Sequence, residues 1–265
     1  MINSNNGVIK KLQSSLDGTV QYGLPMGSSI INLNNLINKK IKLSFSGDIF
    51  CVKCNNKIKK TFAQGYCFPC FRDAPETSEC ILRPELCRAH EGESRDMEWS
   101  KQHCLTKQYI YMSFTGNLKI GVTRNTQIPT RWIDQGATKA IILCATPNRY
   151  LAGVIEVYLK QFYSDRTHWI KMLSGKFEEP DFDRCYIEAK KHLNEKFSEY
   201  ITDSQWVDIK YPIESVPEKI KSFSFDKEPN YEGILTGIKG QYLLFKENIV
   251  LNIRKHTGYK ISLEY

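Results

Sequence analysis

In the middle of the chain, some segments carry apolar residues in short runs typical of β-strands, and others carry them at the spacing of an α-helix. The runs YIYMSF (residues 109–114) and LKIGV (residues 118–122) are short and apolar, and Thr115-Gly116-Asn117 separates them. This pattern is typical of a β-hairpin. KAIILCAT, residues 139–146, is rich in β-branched side chains and predicts a buried strand. Residues 149–163 carry apolar side chains at helical spacing, which predicts an amphipathic helix.

Further elements follow from the same patterns. Pro129 is suited to opening a short helix and Gly136 to closing it, and residues 183–200 predict a second amphipathic helix. Near both ends of the chain, alternation of apolar and polar residues predicts strands. The N-terminal ones include GTVQYGL and KKIKLSFSGDIF, and the C-terminal ones include NYEGILTGI and YKISLEY. We therefore expect an α+β protein whose terminal strands form a shared sheet or small barrel. The expected segments are an N-terminal β segment (1–50), a zinc-binding module (51–108), a central module (109–210), a linker (211–230) and a C-terminal β segment (231–265).

Composition narrows the class of protein. The 265 residues are 41% hydrophobic, which indicates a folded chain, and no apolar run reaches the ~18 residues of a membrane span. The N-terminus lacks the apolar core of a signal peptide, so we expect a cytoplasmic protein without a membrane partner. The net charge of +8 is concentrated in residues 51–72 and 101–131, which contain no acidic residue. Such basic segments favour phosphate-rich partners, although solvated lysines explain them equally well.

Four of the nine cysteines form two Cys-x-x-Cys pairs: Cys51 with Cys54, and Cys67 with Cys70. Two such knuckles separated by a hairpin-length gap are typical of a four-cysteine zinc site. Because four thiolates close the tetrahedral shell, we expect a structural Zn²⁺ and not a catalytic one. Lysines and aromatic residues alternate around these cysteines. We interpret Lys57, Lys59 and Lys60, with the more distant Arg124, as candidate nucleic-acid contacts.

A second group predicts a second zinc site. Cys80, Cys87, His90 and Cys104 could supply three sulfurs and one imidazole, with His103 as a competing fourth ligand. The alternative is an acidic loop with free cysteines, but three close thiols are difficult to keep unreacted without a metal.

Residues 109–169 resemble the GIY-YIG nuclease superfamily, in the branch whose second motif reads Lys-Ile-Gly. Tyr109-Ile110-Tyr111 matches the first motif and Lys119-Ile120-Gly121 the second. The whole chain is also similar to a bacterial domain-of-unknown-function family, through KIGVTR, PTRWIDQGA, RYLAGVIE and a THW motif. That second resemblance implies no activity.

The superfamily resemblance implies the following roles. Glu156 would hold Mg²⁺ or Mn²⁺, and Tyr111 would position or activate the attacking water. Arg131 would neutralise the phosphate in the transition state, and Lys119 would bind phosphate. The residue four positions after Arg131 is Gln135, where the superfamily has His or Tyr. Without the resemblance, the tyrosines are interpreted as strand packing and Arg131 as a partner of a nearby acid.

Three functions agree with these features. The first is a nucleic-acid-processing protein, a divalent-metal-dependent endonuclease. The second is a non-catalytic zinc-containing protein that binds DNA or RNA, and the third is an adaptor that binds other proteins through its zinc module. The choice between DNA and RNA, and the oligomeric state, stay open.

Overall fold

The computed structural model describes residues 4–265, which divide into two compact units. The terminal unit combines residues up to Arg72 with residues from Lys210 onward, and the central unit is the continuous segment Asp73–Ile209. Among the described residues the terminal unit has two sheets and the central unit one, and each unit has its own buried apolar residues. The finer division into five segments stays a prediction.

The N-terminal part of the chain forms six strands and one short helix, in this order: β1 (Ser4–Val8), β2 (Gln13–Asp17), β3 (Thr19–Met26), β4 (Ser29–Asn32), β5 (Lys40–Phe50), β6 (Lys57–Ile58) and α1 (Phe68–Asp73). Strands β2, β3 and β4 form an antiparallel sheet. Along β3 the side chains of Val20, Tyr22, Leu24 and Met26 are buried in alternation with more exposed ones, which is the period of a half-buried strand.

The central unit follows, with these elements: α2 (Met97–His103), β7 (Gln108–Phe114), β8 (Leu118–Arg124), α3 (Thr130–Asp134), β9 (Lys139–Thr146), α4 (Arg149–Leu159), α5 (Trp169–Ser174), α6 (Phe182–Asn194) and β10 (Val207–Asp208). Its antiparallel sheet has the strand order β10-β9-β7-β8. Helix α4 begins after Asn148, whose side chain accepts a hydrogen bond from the Leu151 amide. Its buried stripe, which includes Ile155 and Leu159, packs on the apolar side chains of this sheet.

The chain then returns to the terminal unit with five strands: β11 (Lys221–Phe223), β12 (Asn230–Lys239), β13 (Tyr242–Phe245), β14 (Ile249–Asn252) and β15 (Tyr259–Glu264). They join a mixed sheet of order β1-β15-β5-β12-β13-β14-β11, to which β6 adds beside β5. Strand β15 lies between β1 and β5 and buries Tyr259, Ile261 and Leu263 in alternation. The first and last strands of the chain therefore share one sheet.

The structure confirms the α+β class and the shared terminal sheet. The predicted hairpin is β7–β8, with Gly116 at φ 91° in its turn, and the predicted helix at 149–163 is α4, which ends at Leu159. Residues 211–230, expected as a linker, include β11, which pairs in parallel with β14. Within residues 4–265, every helix is too short or too polar to cross a membrane.

Candidate functional site

Four cysteines come together in the terminal unit. Cys51 and Cys54 lie in the turn between β5 and β6, and Cys67 and Cys70 lie at the start of α1. One sulfur from each residue forms a group whose members are all within 4.8 Å of one another, and the Cys54 and Cys67 Sγ atoms are 3.8 Å apart. This sulfur group, the Cys51 cluster, could hold a metal ion in a closed shell.

Local backbone structure prepares the Cys51 cluster. Asn55 takes a positive φ of 58°, and its amide donates to the Cys51 carbonyl, which closes the first knuckle. The Cys67 amide donates to Cys51 Sγ over 3.2 Å. Burial opposes ionisation, but backbone N–H groups of Cys54, Cys67 and Lys53 outweigh it and lower the pKa of the Cys51 thiol to about 6. The fold thus favours the thiolate, which is the form that binds metals.

The predicted basic contacts lie in different surroundings. Lys57 is ion-paired with Asp48 over 2.6 Å, whereas Lys59 is exposed. The Lys60 ammonium lies 5.7 Å from the centroid of the Phe62 ring. Arg124 belongs to the other unit, where burial and then the charge of Arg149 lower the pKa of its guanidinium. The three lysines thus belong to the terminal unit and Arg124 to the central unit, and their role with nucleic acid stays a prediction.

A second sulfur group lies in the central unit. Cys80, Cys87 and Cys104 place their sulfurs within 4.8 Å of one another, and we call them the Cys80 cluster. The expected fourth ligand, His90, is not a member: its ring stacks on Tyr150 with centroids 4.4 Å apart. His103, the alternative ligand, also lies outside the group. Its ring stacks on Trp99, and its Nδ1 is 2.8 Å from the Trp99 carbonyl oxygen.

The segment between two of these cysteines packs on helix α4. A Cβ at Gly153 would lie 2.1 Å from the Glu85 backbone nitrogen, so only glycine permits this approach. Arg149, the first residue of α4, donates its backbone amide to the Cys104 carbonyl and its guanidinium to the Cys80 carbonyl. The Cys80 cluster is therefore attached to the same helix that carries Glu156.

Three of the four predicted catalytic residues line one cleft in the central unit. Lys119 comes from β8, Arg131 from α3 and Glu156 from α4, and the cleft encloses about 140 Å³. The remaining polar side chains of its wall are Gln135, Arg149, Lys160 and Asp165. Ile81, Leu82 and Pro84, from the segment between Cys80 and Cys87, form an apolar part of the wall. The structure thus brings an ammonium, a guanidinium and a carboxylate to one place.

Burial and nearby charges set the ionisation of the cleft. Burial, and then the charge of Arg131, lower the pKa of Lys119 to about 8, and its Nζ donates to Thr167 Oγ1 over 3.3 Å. Burial raises the pKa of Glu156, while the Lys160 ammonium opposes this rise. Lys160 Nζ lies 3.5 Å from a Glu156 oxygen and 3.3 Å from an Asp165 oxygen. Two carboxylates therefore converge on one cationic point.

Tyr111, the fourth predicted residue, lies behind the cleft and not in its wall. Its ring is fully buried, and its hydroxyl donates to Gln135 Oε1 over 2.7 Å. The register of the hairpin places Tyr111 opposite Gly121, and burial raises the pKa of the phenol. The phenol therefore contacts two residues of the cleft wall, Gln135 and Arg131, from behind, and a direct role for Tyr111 stays a prediction.

Two arginines in the cleft wall carry unused donors. The Nε atoms of Arg131 and Arg149 are buried, and within residues 4–265 neither has a hydrogen-bond partner. Buried donors without a protein partner are suited to an anionic ligand. Sequence analysis did not assign Arg149, Lys160 or Asp165 to the site. The sequence could have indicated Lys160, because it follows Glu156 by four residues within the predicted helix at 149–163.

Comparisons with known proteins support a family and nothing more specific. A family model described as "Protein of unknown function (DUF2797)" matches residues 38–261. No curated protein matches this sequence, and no solved structure matches this fold.

Proposed function

We propose that this chain, which belongs to the DUF2797 family of proteins of unknown function, is a nucleic-acid-processing protein that binds and cuts a phosphodiester in its cleft. The observation that carries the proposal is the convergence of Lys119, Arg131 and Glu156 on that cleft. These are the residue types that the resemblance to GIY-YIG nucleases assigned to phosphate binding and metal binding.

The charge of the cleft suits a phosphodiester. Its wall holds four cationic side chains and two carboxylates, so the formal charge is 4 − 2 = +2; the cations are Lys119, Arg131, Arg149 and Lys160. A phosphodiester carries one negative charge and two unbridged oxygens, which pair well with guanidinium donors. The unpartnered Nε atoms of Arg131 and Arg149 provide such donors.

Glu156 and Asp165 fit a divalent cation. Both carboxylates lie close to the Lys160 ammonium, so a divalent cation at that position would contact both of them. Proteins commonly hold Mg²⁺ through one or two carboxylates together with the phosphate of the substrate. When bound, the ion would supply Lewis-acid stabilisation of the phosphate oxygens. Lys119 and Arg131 would bind and orient the phosphate, and Tyr111 would hold Gln135 in place through its hydrogen bond.

A second candidate is nucleic-acid binding without cleavage. The observation that favours it is the ion pair of Lys160 with Glu156, which already neutralises the carboxylate. The Tyr111 hydroxyl is also directed to Gln135. In this reading the cleft still binds phosphate, but it activates no water.

The metal of the cysteine clusters is proposed to be zinc, because thiolate sets without oxygen ligands select soft or borderline ions. All nine cysteines are free, which agrees with a reducing compartment, and we propose the cytoplasm.

Cleavage assays separate the candidates. Labelled DNA and RNA, single-stranded, duplex and branched, are incubated with Mg²⁺ or Mn²⁺ and with either wild type or Glu156→Gln. Metal-dependent products that disappear in Glu156→Gln support the endonuclease. Salt-sensitive binding without products, weakened in Arg131→Gln, supports the second candidate. If neither occurs, both are wrong, and an adaptor that binds proteins remains. Lys176→Gln, an exposed lysine outside the cleft wall, is the matched control.

A further inference from the structure

The Cys80 cluster faces a second and larger cavity, on which the proposed cleavage does not depend. All three cysteines line this cavity, which encloses about 520 Å³ and lies within the central unit. Cys87 and Cys104 are otherwise almost completely buried. A volume of this size is in the range of small-molecule sites.

The cluster supplies three protein ligands and lacks a fourth from the described residues. Within residues 4–265, no further His, Cys, Asp or Glu ligand atom lies within 4.8 Å of all three sulfurs. The ring of His90 is engaged with Tyr150, and Nδ1 of His103 with the carbonyl of Trp99. Structural zinc sites use four protein ligands, whereas sites with three keep one position for an external ligand.

We propose that Cys80, Cys87 and Cys104 bind a zinc ion whose fourth position opens to this cavity and takes the sulfur of a low-molecular-weight thiol. A metal held by three thiolates prefers a further soft donor. The thiol binds as a thiolate: a metal–sulfur bond forms, the S–H bond breaks, and the proton passes to solvent.

The lining of the cavity suits the body of such a thiol. Leu86, Ala89 and Trp99 supply apolar surface, and the ion pair of Arg88 with Glu93, together with Arg95, supplies polar surface. A small organic thiol with polar substituents can contact both kinds of surface. The Cys51 cluster provides an internal comparison, because it offers four sulfurs, which is the number that closes a tetrahedral shell.

Cadmium-113 NMR of the Cd²⁺-loaded protein tests the proposal. We expect two resonances, one from each cluster. Titration with 2-mercaptoethanol should move one resonance saturably and leave the other in place. Cys104→Ser should remove the resonance that moves. Leu86→Trp, which fills the cavity without removing a sulfur, should keep both resonances and weaken the response to the thiol at least tenfold.

The variant His90→Ala distinguishes this site from a closed one. The proposal expects both resonances and the thiol response to be unchanged in His90→Ala. A resonance shifted by His90→Ala would identify the imidazole as the fourth ligand and overturn the proposal. In the wild type, two resonances that do not respond to the thiol, or the loss of one resonance during the titration without a shifted replacement, would also overturn it. None of these results depends on nuclease activity or on correct folding of Cys104→Ser.

Discussion

The phenol of Tyr111 occupies the space that a side chain at position 121 would need. A Cβ at Gly121 would lie 2.5 Å from the Tyr111 hydroxyl oxygen and 2.7 Å from its Cζ atom. The two residues are direct partners in the β7–β8 register. Gly121 therefore matters for the placement of a buried ring, which in turn fixes Gln135 at the edge of the cleft.

Gly121→Ala should destabilise the central unit by roughly 1–3 kcal/mol, because the buried ring must shift or the strands must separate. Urea denaturation monitored by fluorescence measures the change. The double variant Gly121→Ala/Tyr111→Phe lacks the closest clashing atom, so its cost should be less than the sum of the two single costs. Additive costs would show that the ring is not the source of the strain.

Lys119 should make stability rise with pH in a defined window. Its pKa is about 8 in the folded protein, whereas the ordinary pKa of a lysine side chain, which applies to the unfolded chain, is 10.5. Between these values the unfolded chain binds a proton that the folded chain has lost, so the free energy of unfolding increases with pH. Lys119→Met should lack this rise, and the difference between wild type and variant should grow by on the order of 1 kcal/mol per pH unit.

The buried lysine Lys239 belongs to the other unit and also has a pKa lowered to about 8, so it serves as the comparison. Its contribution remains in Lys119→Met and cancels in the difference. A flat difference curve from pH 8 to 10.5 would contradict the burial of a titrating Lys119 ammonium.

Lys160 should compete with divalent cations for the two carboxylates. Lys160→Met leaves Glu156 buried without its cation, which should cost roughly 1–2 kcal/mol at neutral pH. The same variant should bind Mn²⁺ at least tenfold more tightly, as measured by electron paramagnetic resonance of free Mn²⁺. In Lys160→Met/Glu156→Gln the gain should vanish. Unchanged Mn²⁺ affinity in Lys160→Met would exclude a cation site at these carboxylates.

The double variant Cys51→Ser/Cys54→Ser should lower the zinc content by about one ion per chain and destabilise the terminal unit, because the two remaining sulfurs cannot hold a structural metal that contributes directly to folding. Elemental analysis and thermal unfolding measure the two effects. Cys144→Ser is the matched control: Cys144 is buried in the core of the central unit and belongs to neither cluster. It should lose stability but keep its zinc. An unchanged zinc content in Cys51→Ser/Cys54→Ser would show that the Cys51 cluster holds no metal.

Gly153→Ala should disturb the second cluster and the cleft together. The new Cβ would press on the backbone at Pro84 and Glu85, and that segment ends at Cys80 and Cys87. We expect weaker Cd²⁺ retention by the Cys80 cluster and weaker phosphate binding in the cleft, with the Cys51 cluster unaffected. A loss confined to one of the two sites would show that the segment does not connect them.

Features set by short-range spacing could be predicted from the sequence. The two Cys-x-x-Cys pairs, the hairpin and the helix that carries Glu156 all follow from patterns within about 20 residues. The orientation of Tyr111 could not be predicted in this way. Strand β7 lies inside its sheet and is buried on both faces, so alternation does not show which side faces the cleft.

The missed residues depend on contacts between distant segments. Asp165 reaches the cleft from the loop after α4, and Arg149 reaches the Cys80 carbonyl 69 positions away. The position of His90 is set by its stacking on Tyr150, which no spacing rule includes. Long-range packing of this kind leaves no periodic signal in the sequence.

The six residues between Cys80 and Cys87 connect the second sulfur cluster to the cleft. Cys80 and Cys87, which flank them, belong to one sulfur cluster, while Ile81, Leu82 and Pro84 form part of the cleft wall. Because the segment is only six residues long, a shift of Cys80 or Cys87 would also move the residues between them. We therefore expect any event that moves either sulfur to move part of the cleft wall, where the proposed function places a phosphate.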